Sequence, residues 1–289
     1  MKDFVIVTDS GCDLPTQMVE ELDVKVVPMG LTIGGKTYRH YHDYRELSSE
    51  AFYEMVRAGE IGTTSCVSIG DAMEEMEKHV KNGLNVLYLS FSSGMSGSYQ
   101  AAVAASNDLK EKYPNADIRV VDTLCGCIGL GMIVFLAVKK KAEGLSLDEV
   151  EQFVENNKMN ICHYFTVDDL NYIQKTGRIS HLSAIFGSIL GIKPIFVLDN
   201  DGRVFNTSKA RGRKAAIKAL HDAACNTSSQ KDYFFIVHAD AENDANTLKN
   251  MVQEQNPNAE IFVSQVGPIL GNNTGPGALA IIFYGDTRY

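Results

Sequence analysis

Ser92, Ser93, Gly94, Ser96, Gly97 and Ser98 crowd the junction between a strand-like run, Asn85–Ser90, and an alanine-rich helical run that begins at Ser98. Backbone N–H groups at a helix start carry roughly half a positive charge, and nearby hydroxyls add donors, so such a junction can hold an anion without a cation. Gly94 and Gly97 let the main chain approach a ligand closely. Two further polar turns follow strand-like runs or precede helical ones, Thr8–Pro15 (TDSGCDLP) and Thr63–Ser68 (TTSCVS). A fourth, Gly271–Gly277 (GNNTGPG), lies near the C-terminus. Thr63, Thr64, Ser93 and Ser96 together could clasp a carboxylate or a phosphate. Any one of these turns alone is as well explained by N-capping, because Ser and Thr start helices everywhere.

Other chemistries are less well served. FSSGMSGSY does not match the G-x-S-x-G pattern of a hydrolase elbow. A serine nucleophile also needs a histidine held beside it, and His40, His42, His79, His163, His181, His221 and His238 fall in no motif with these serines. His238, at a strand end, is the best candidate base, against a bland alternative of bonding to the main chain. Cys66 lies inside the second turn, though free Cys is more often a small buried hydrophobe. Asp9 and Asp13 could hold a metal, but DSGCD is not the calcium-loop pattern, and Asp9 is expected to order its own turn.

The elements around these turns alternate. Phe4–Thr8, Lys25–Pro28, Asn85–Ser90 and Asp117–Val121 read as strands, with helical spacing in Leu14–Leu22, Glu46–Ala58, Ser68–Val80 and Ser98–Lys110. Strand–helix alternation of this length predicts βαβ units in a parallel sheet. In open parallel sheets ligands bind beyond the carboxyl ends of the strands, where the first three turns lie. The second half changes style. Val167–Lys175 is a helix stopped by Gly177, Ser180–Leu190 is an apolar segment, and Lys193–Leu198 and Arg203–Thr207 flank Asn200-Asp201-Gly202, a hairpin signal. A helix at Lys209–Ala224, strand Tyr233–His238, helix Ala241–Gln253 and strands Glu260–Val266 and Ala278–Tyr284 complete the chain. The expected organisation is two α/β domains, residues 1–157 with the polar turns and residues 158–289.

Composition narrows the classes. Hydrophobic residues make 45% of the 289-residue chain, enough for a real core. The net charge of −9, with basic clusters only at Lys139–Lys141 and Lys209–Lys214, argues against a nucleic-acid partner. The six cysteines form no C-x-x-C pair, which suggests reduced thiols and a cytoplasmic location. The N-terminus does not read as a signal peptide. The apolar stretch Thr123–Val138 is interrupted by glycines and falls short of the roughly 20 residues a membrane span needs, so it is expected as a buried helix and not an integral membrane segment.

VTDSGCDLP, TTSCVSIGDAMEEME, LSFSSGMSGSYQAA, VVDTLCGCIGLG, VDDLNYIQKTGRIS, KARGRKAAI and GPILGNNTGPGALA occur in this order. The ordered set, spanning nearly the whole chain, resembles the DegV family of bacterial fatty-acid-binding proteins. The resemblance implies two α/β domains with a lipid tunnel at their interface and a bound long-chain fatty acid such as palmitate as ligand. It implies no catalysis by the chain itself and no other cofactor. A separate fatty acid kinase would take the presented carboxylate to an acyl-phosphate. Carried over by motif, Thr63 or Thr64 and Ser93 or Ser96 become head-group ligands, while Arg178 and Arg211 become candidates for the head-group surroundings or a kinase-docking face. The rival is a hydrolase or phosphotransferase using the same hydroxyls. A sensor of a small anion is the other alternative, and it would lack the apolar tunnel.

Two positions depart from the family pattern. Val67 stands where the second turn usually has proline, which leaves the turn less stiff. Asn273 stands where a histidine usually precedes G-P-G by two residues; an amide can donate to a carboxylate but cannot titrate.

Overall fold

The computed structural model describes residues 3–175, 177 and 191–289. In chain order the elements are β1 (Phe4–Asp9), a 3-10 turn at Ser10–Cys12, α1 (Thr16–Glu21), β2 (Lys25–Val27), β3 (Met29–Ile33), β4 (Lys36–His40), α2 (Ser49–Arg57), β5 (Thr63–Ser65), α3 (Ile69–Lys81), β6 (Asn85–Ser90), α4 (Ser98–Lys112), β7 (Ile118–Asp122), α5 (Ile128–Ala142) and α6 (Leu147–Asn157). There follow β8 (Ile161–Thr166), α7 (Leu170–Lys175), β9 (Ile192–Leu198), β10 (Val204–Arg211), α8 (Arg213–Thr227), β11 (Ser228–His238), α9 (Glu242–Gln255), β12 (Glu260–Gln265), α10 (Pro268–Thr274) and β13 (Leu279–Gly285).

β2, β1, β6 and β7 form a parallel sheet in that order, as strand–helix alternation predicts. β1 is buried along its whole length, the pattern of a strand covered on both faces. Helices α3 to α6 flank this sheet. The second sheet is mixed, in the order β10-β9-β8-β13-β11-β12, with only β11 and β12 parallel. Side chains alternate across a strand, and here the alternation feeds two cores. Phe234, Ile236, Ile281 and Phe283 pack with Ala216, Leu220, Ala245 and Leu248 of α8 and α9. Phe196, Phe235, Val237 and Ile282 belong instead to the cluster that holds the first half of the chain. α5 is one of the contacts between the halves: Phe135 meets Phe235 and Phe262 edge-on.

Several expectations are corrected. The run after Pro28, to which no element is assigned from sequence, is a hairpin, β3–β4, turned at Gly34 and Gly35 with φ of 58° and 73°. With β5 it makes a small antiparallel sheet, so Thr63–Ser65 is strand as well as turn. Lys209–Arg211 end β10 and do not begin a helix, because they pair with β9. Most of GNNTGPG lies in α10, a helix with Pro268 at its start. The buried helix begins at Ile128, since Leu124 and Cys127 take positive φ in the preceding loop. Ser180–Leu190 lies outside the described residues. The boundary expected at 157/158 falls on the 3-10 turn Lys158–Asn160 that joins α6 to β8.

Candidate functional site

A cavity of about 460 Å³ lies between the turns around the parallel sheet and one face of the mixed sheet. Met29, Phe91 and Met95 wall it from the first half. Phe165, Leu198, Val204, Val237, Ala280 and Ile282 wall it from the second sheet, and Ile269 and Leu270 from α10. Its polar wall comes from Thr64, Ser65 and Cys66 on one side, Ser96 and Gly97 on another, and Asn273 and Thr274 on a third.

Thr64, Ser96 and Asn273 therefore face one space, although 209 positions separate the first from the last (273 − 64). β5 carries Thr64 opposite Leu31 of β3. Ser96 sits in the turn before α4, where its Oγ lies 3.0 Å from Ser98 Oγ and accepts the Ser98 N–H at 3.2 Å. Asn273 donates Nδ2–H to Ile269 O at 2.7 Å, one turn back in its helix. Thr63 and Ser93 are not among the lining residues. Thr63 is exposed beside Thr32, and the Ser93 N–H is turned to Asp122 Oδ1 at 3.1 Å. Arg211 is exposed at the end of β10, and Arg178 lies outside the described residues.

The candidate bases sit elsewhere. His238 accepts the Ala241 N–H on Nδ1 at 3.2 Å and does not line the cavity. His163, which carried no sequence signal, does line it. Its Nδ1 pairs with Ile161 O at 3.0 Å, and its Nε2 accepts the Gly126 N–H at 3.4 Å. Burial, aided by the charge of Arg288, pushes its pKa down to about 3, so the ring is neutral. Strand alternation could have found it: His163 and Phe165 share a face of β8.

Two buried carboxylates tie the surrounding turns together. Asp9 accepts from Gly11 N–H at 3.1 Å and from Phe91 N–H at 2.9 Å, ordering its own turn as expected and the 91–97 turn as well. Asp13 accepts from Gly267 N–H at 3.0 Å and from the Cys127 thiol at 3.0 Å, so one side chain joins the starts of α10 and α5. Burial raises both carboxyl groups to about 7 against these bonds. An acid whose folded pKa is raised contributes stability that is fully present below its ordinary value and lost as pH rises to the folded value. The Asp13 contribution is therefore lost between 3.8 and about 7. Asp13→Asn, also suited to the positive φ of 48° here, should fold and lose this dependence. The stability of wild type minus that of D13N should fall from pH 4 to pH 7; a flat difference would mean Asp13 is ionised throughout.

Among the described residues no group of three His, Cys, Asp or Glu side chains is placed to hold a metal ion, and no helix is long and apolar enough to cross a membrane. The fold and site define an α/β protein in which strand-end turns close a largely apolar cavity against a second sheet. The chain belongs to the DegV family, a family of uncharacterised proteins whose sequence model matches residues 3–286. It is 41% identical over 290 residues to the DegV domain-containing protein CPE0026 of Clostridium perfringens, covering 100% of this chain and 99% of that one. Its fold is similar to that of a DegV family protein from Thermus thermophilus described for its fatty acid binding, with 28% identity, a TM-score of 0.88 and coverage of 98% and 99% of the two chains. DegV, a fatty acid binding protein from Bacillus subtilis, is similar at 28% identity and a TM-score of 0.86, over 99% and 100% of the chains.

Proposed function

We propose that this chain binds a long-chain fatty acid, with its tail in the cavity and its carboxylate at Thr64, Ser96 and Asn273. We further propose that it presents that carboxylate to a separate fatty acid kinase. The observation that carries the binding is one largely apolar wall that ends in hydroxyls and an amide. Its volume falls within the several hundred Å³ usual for small-molecule sites. The solved relatives named as fatty-acid-binding proteins support the ligand class.

The energetics agree. A palmitoyl tail buries about fourteen CH₂ groups at ~0.8 kcal/mol each, roughly 11 kcal/mol before association costs. The tail supplies affinity, and the head site must avoid leaving a desolvated carboxylate unpaired. Hydroxyls serve that end and equally suit an acyl-phosphate product. The kinase step follows from the family resemblance, with Arg211 as a docking candidate. A hydrolase or phosphotransferase would place a base against Thr64 or Ser96. Ser96 instead pairs with Ser98, and the cavity histidine is bonded to the main chain, which favours the carrier reading.

Native mass spectrometry of the purified protein should show an acyl adduct of about sixteen to eighteen carbons. Palmitate added back to stripped protein at about 100 times Kd should contribute ~2.7 kcal/mol, a rise in Tm of roughly 5 °C. Absence of both the adduct and the shift, for acids of twelve to eighteen carbons, would sink the reading.

A further inference from the structure

Ser98 is fully buried at the first position of α4 and does not line the cavity. Its Oγ accepts the main-chain N–H of Val67 at 3.2 Å and lies 3.0 Å from Ser96 Oγ. The Ser98 N–H donates to the same Ser96 Oγ at 3.2 Å. Between the two hydroxyls either oxygen could be the donor, but a hydroxyl has one proton and two lone pairs, and the count decides.

If Ser96 donated to Ser98, both lone pairs of Ser98 would be filled, by Val67 N–H and by Ser96. The Ser98 proton would then be buried, with no acceptor in bonding range among the described residues, which costs free energy. If Ser98 donates to Ser96, every donor and acceptor of these three residues' linked bonds is satisfied except one. Both lone pairs of Ser96 are then filled, by the N–H and the O–H of Ser98, and its own proton is left over. Ser96 lines the cavity, so that proton is available only to what the cavity holds.

We propose that Ser98 is the positioning residue of the head-group site: by passing the Val67 N–H bond on to Ser96, it makes Ser96 a donor-only group that selects an anionic acceptor. The inference rests on the fatty-acid reading above and names what that site discriminates. A carboxylate or an acyl-phosphate oxygen accepts the Ser96 proton and asks nothing back. A fatty alcohol can accept it, but its own hydroxyl proton finds no lone pair on Ser96. Bonds polarise one another along such a chain, so the last donor is the strongest. The N–H of residue 67 starts the relay, and a proline there could not supply it.

The test is the ratio of affinities for myristate and tetradecanol, measured within each variant so that a loss of stability cancels. In S98A the ratio should fall roughly tenfold from wild type, the size of a charge-assisted hydrogen bond. S98T, which keeps the hydroxyl, should restore most of it. In the S96A background S98A should change the ratio no further. Equal loss of acid and alcohol binding in S98A, or a full additional loss on top of S96A, overturns the relay while leaving the fatty-acid reading intact. A wild-type protein that takes up neither ligand overturns that reading and the relay with it.

Discussion

Replacing Ala280 with tryptophan should lower affinity for a sixteen-carbon acid by at least roughly a hundredfold and leave the protein folded. Ala280 lies on β13 between β8 and β11, and its methyl group borders the cavity. An indole grown from that position enters open space, so the overpacking that usually penalises small-to-large changes in a core is largely avoided. It takes a sizeable share of the 460 Å³ that the tail would fill. Excluding even four or five CH₂ groups, at ~0.8 kcal/mol each, removes about 3–4 kcal/mol, two to three orders of magnitude in Kd. Titration of stripped A280W with palmitate, beside its melting curve, reads both halves of the expectation. Wild-type affinity in a folded A280W protein would show that the acyl chain lies elsewhere. Octanoate should suffer less than palmitate, because a shorter tail can stop before the plug.

Gly129→Ala should destabilise the protein by about 2–3 kcal/mol although alanine is the better helix former by ~1 kcal/mol. Gly129 is in the first turn of α5, packed against Nε2 of the His163 ring. A Cβ there would collide with His163 Nε2 and lie 2.6 and 2.7 Å from two ring carbons. The ring cannot retreat without giving up its bonds to Ile161 O and Gly126 N–H. At this chain length such a loss is worth roughly 3–5 °C in Tm. Gly70→Ala is the internal control. Its nearest neighbour would be Ser68 Oγ at 3.9 Å, so the change should be neutral or mildly stabilising. Shrinking the ring in the G129A/H163A double variant should recover part of the loss, since the two changes share one contact. A G129A protein that melts with wild type would mean that α5 and β8 are not pressed together at this point.

The sequence carried the first half of the fold more plainly than the second. β1 and β6 carry unbroken apolar runs of four residues, β7 has one interruption at Arg119, and each is followed by a helix, a pattern with few alternatives. The β3–β4 hairpin escaped notice although Gly34-Gly35 is a two-residue turn signal, because Thr32, Lys36 and Thr37 leave its strands only half apolar. Lys209–Arg211 looked like a helix start because helical spacing follows; the register with Ile192–Pro194 overrides that local signal. At the site, residue type was legible and orientation was not. Thr63 and Thr64 are neighbours of equal promise, but the pairing of β5 with β3 leaves Thr63 exposed beside Thr32, while the cavity receives Thr64, Ser65 and Cys66. Ser93 and Ser96 likewise differ by which atom the 91–97 turn points inward, and that turn is held by Asp9, which is distant in sequence. His163 belongs to no motif, and Ser98 looked like one hydroxyl among several. The depth of His163 is set by its packing on α5 across the halves, and Ser98 is placed by its bond to Val67 in the neighbouring turn, contacts that no single motif records.

In the mixed sheet, the same strands serve two purposes with alternate residues. Ile281 and Phe283 of β13, like Phe234 and Ile236 of β11, hold α8 and α9, while Ala280, Ile282 and Val237 border the cavity. Ligand shape and scaffold integrity are thus written largely in opposite parities of one stretch of sequence, with Leu279 at the start of β13 serving both. Selection on what the protein holds and selection on how the helical layer packs therefore act on interleaved and mostly different residues. A lineage can drift from one acyl shape to another by changing every second residue, with the helical layer behind the sheet untouched.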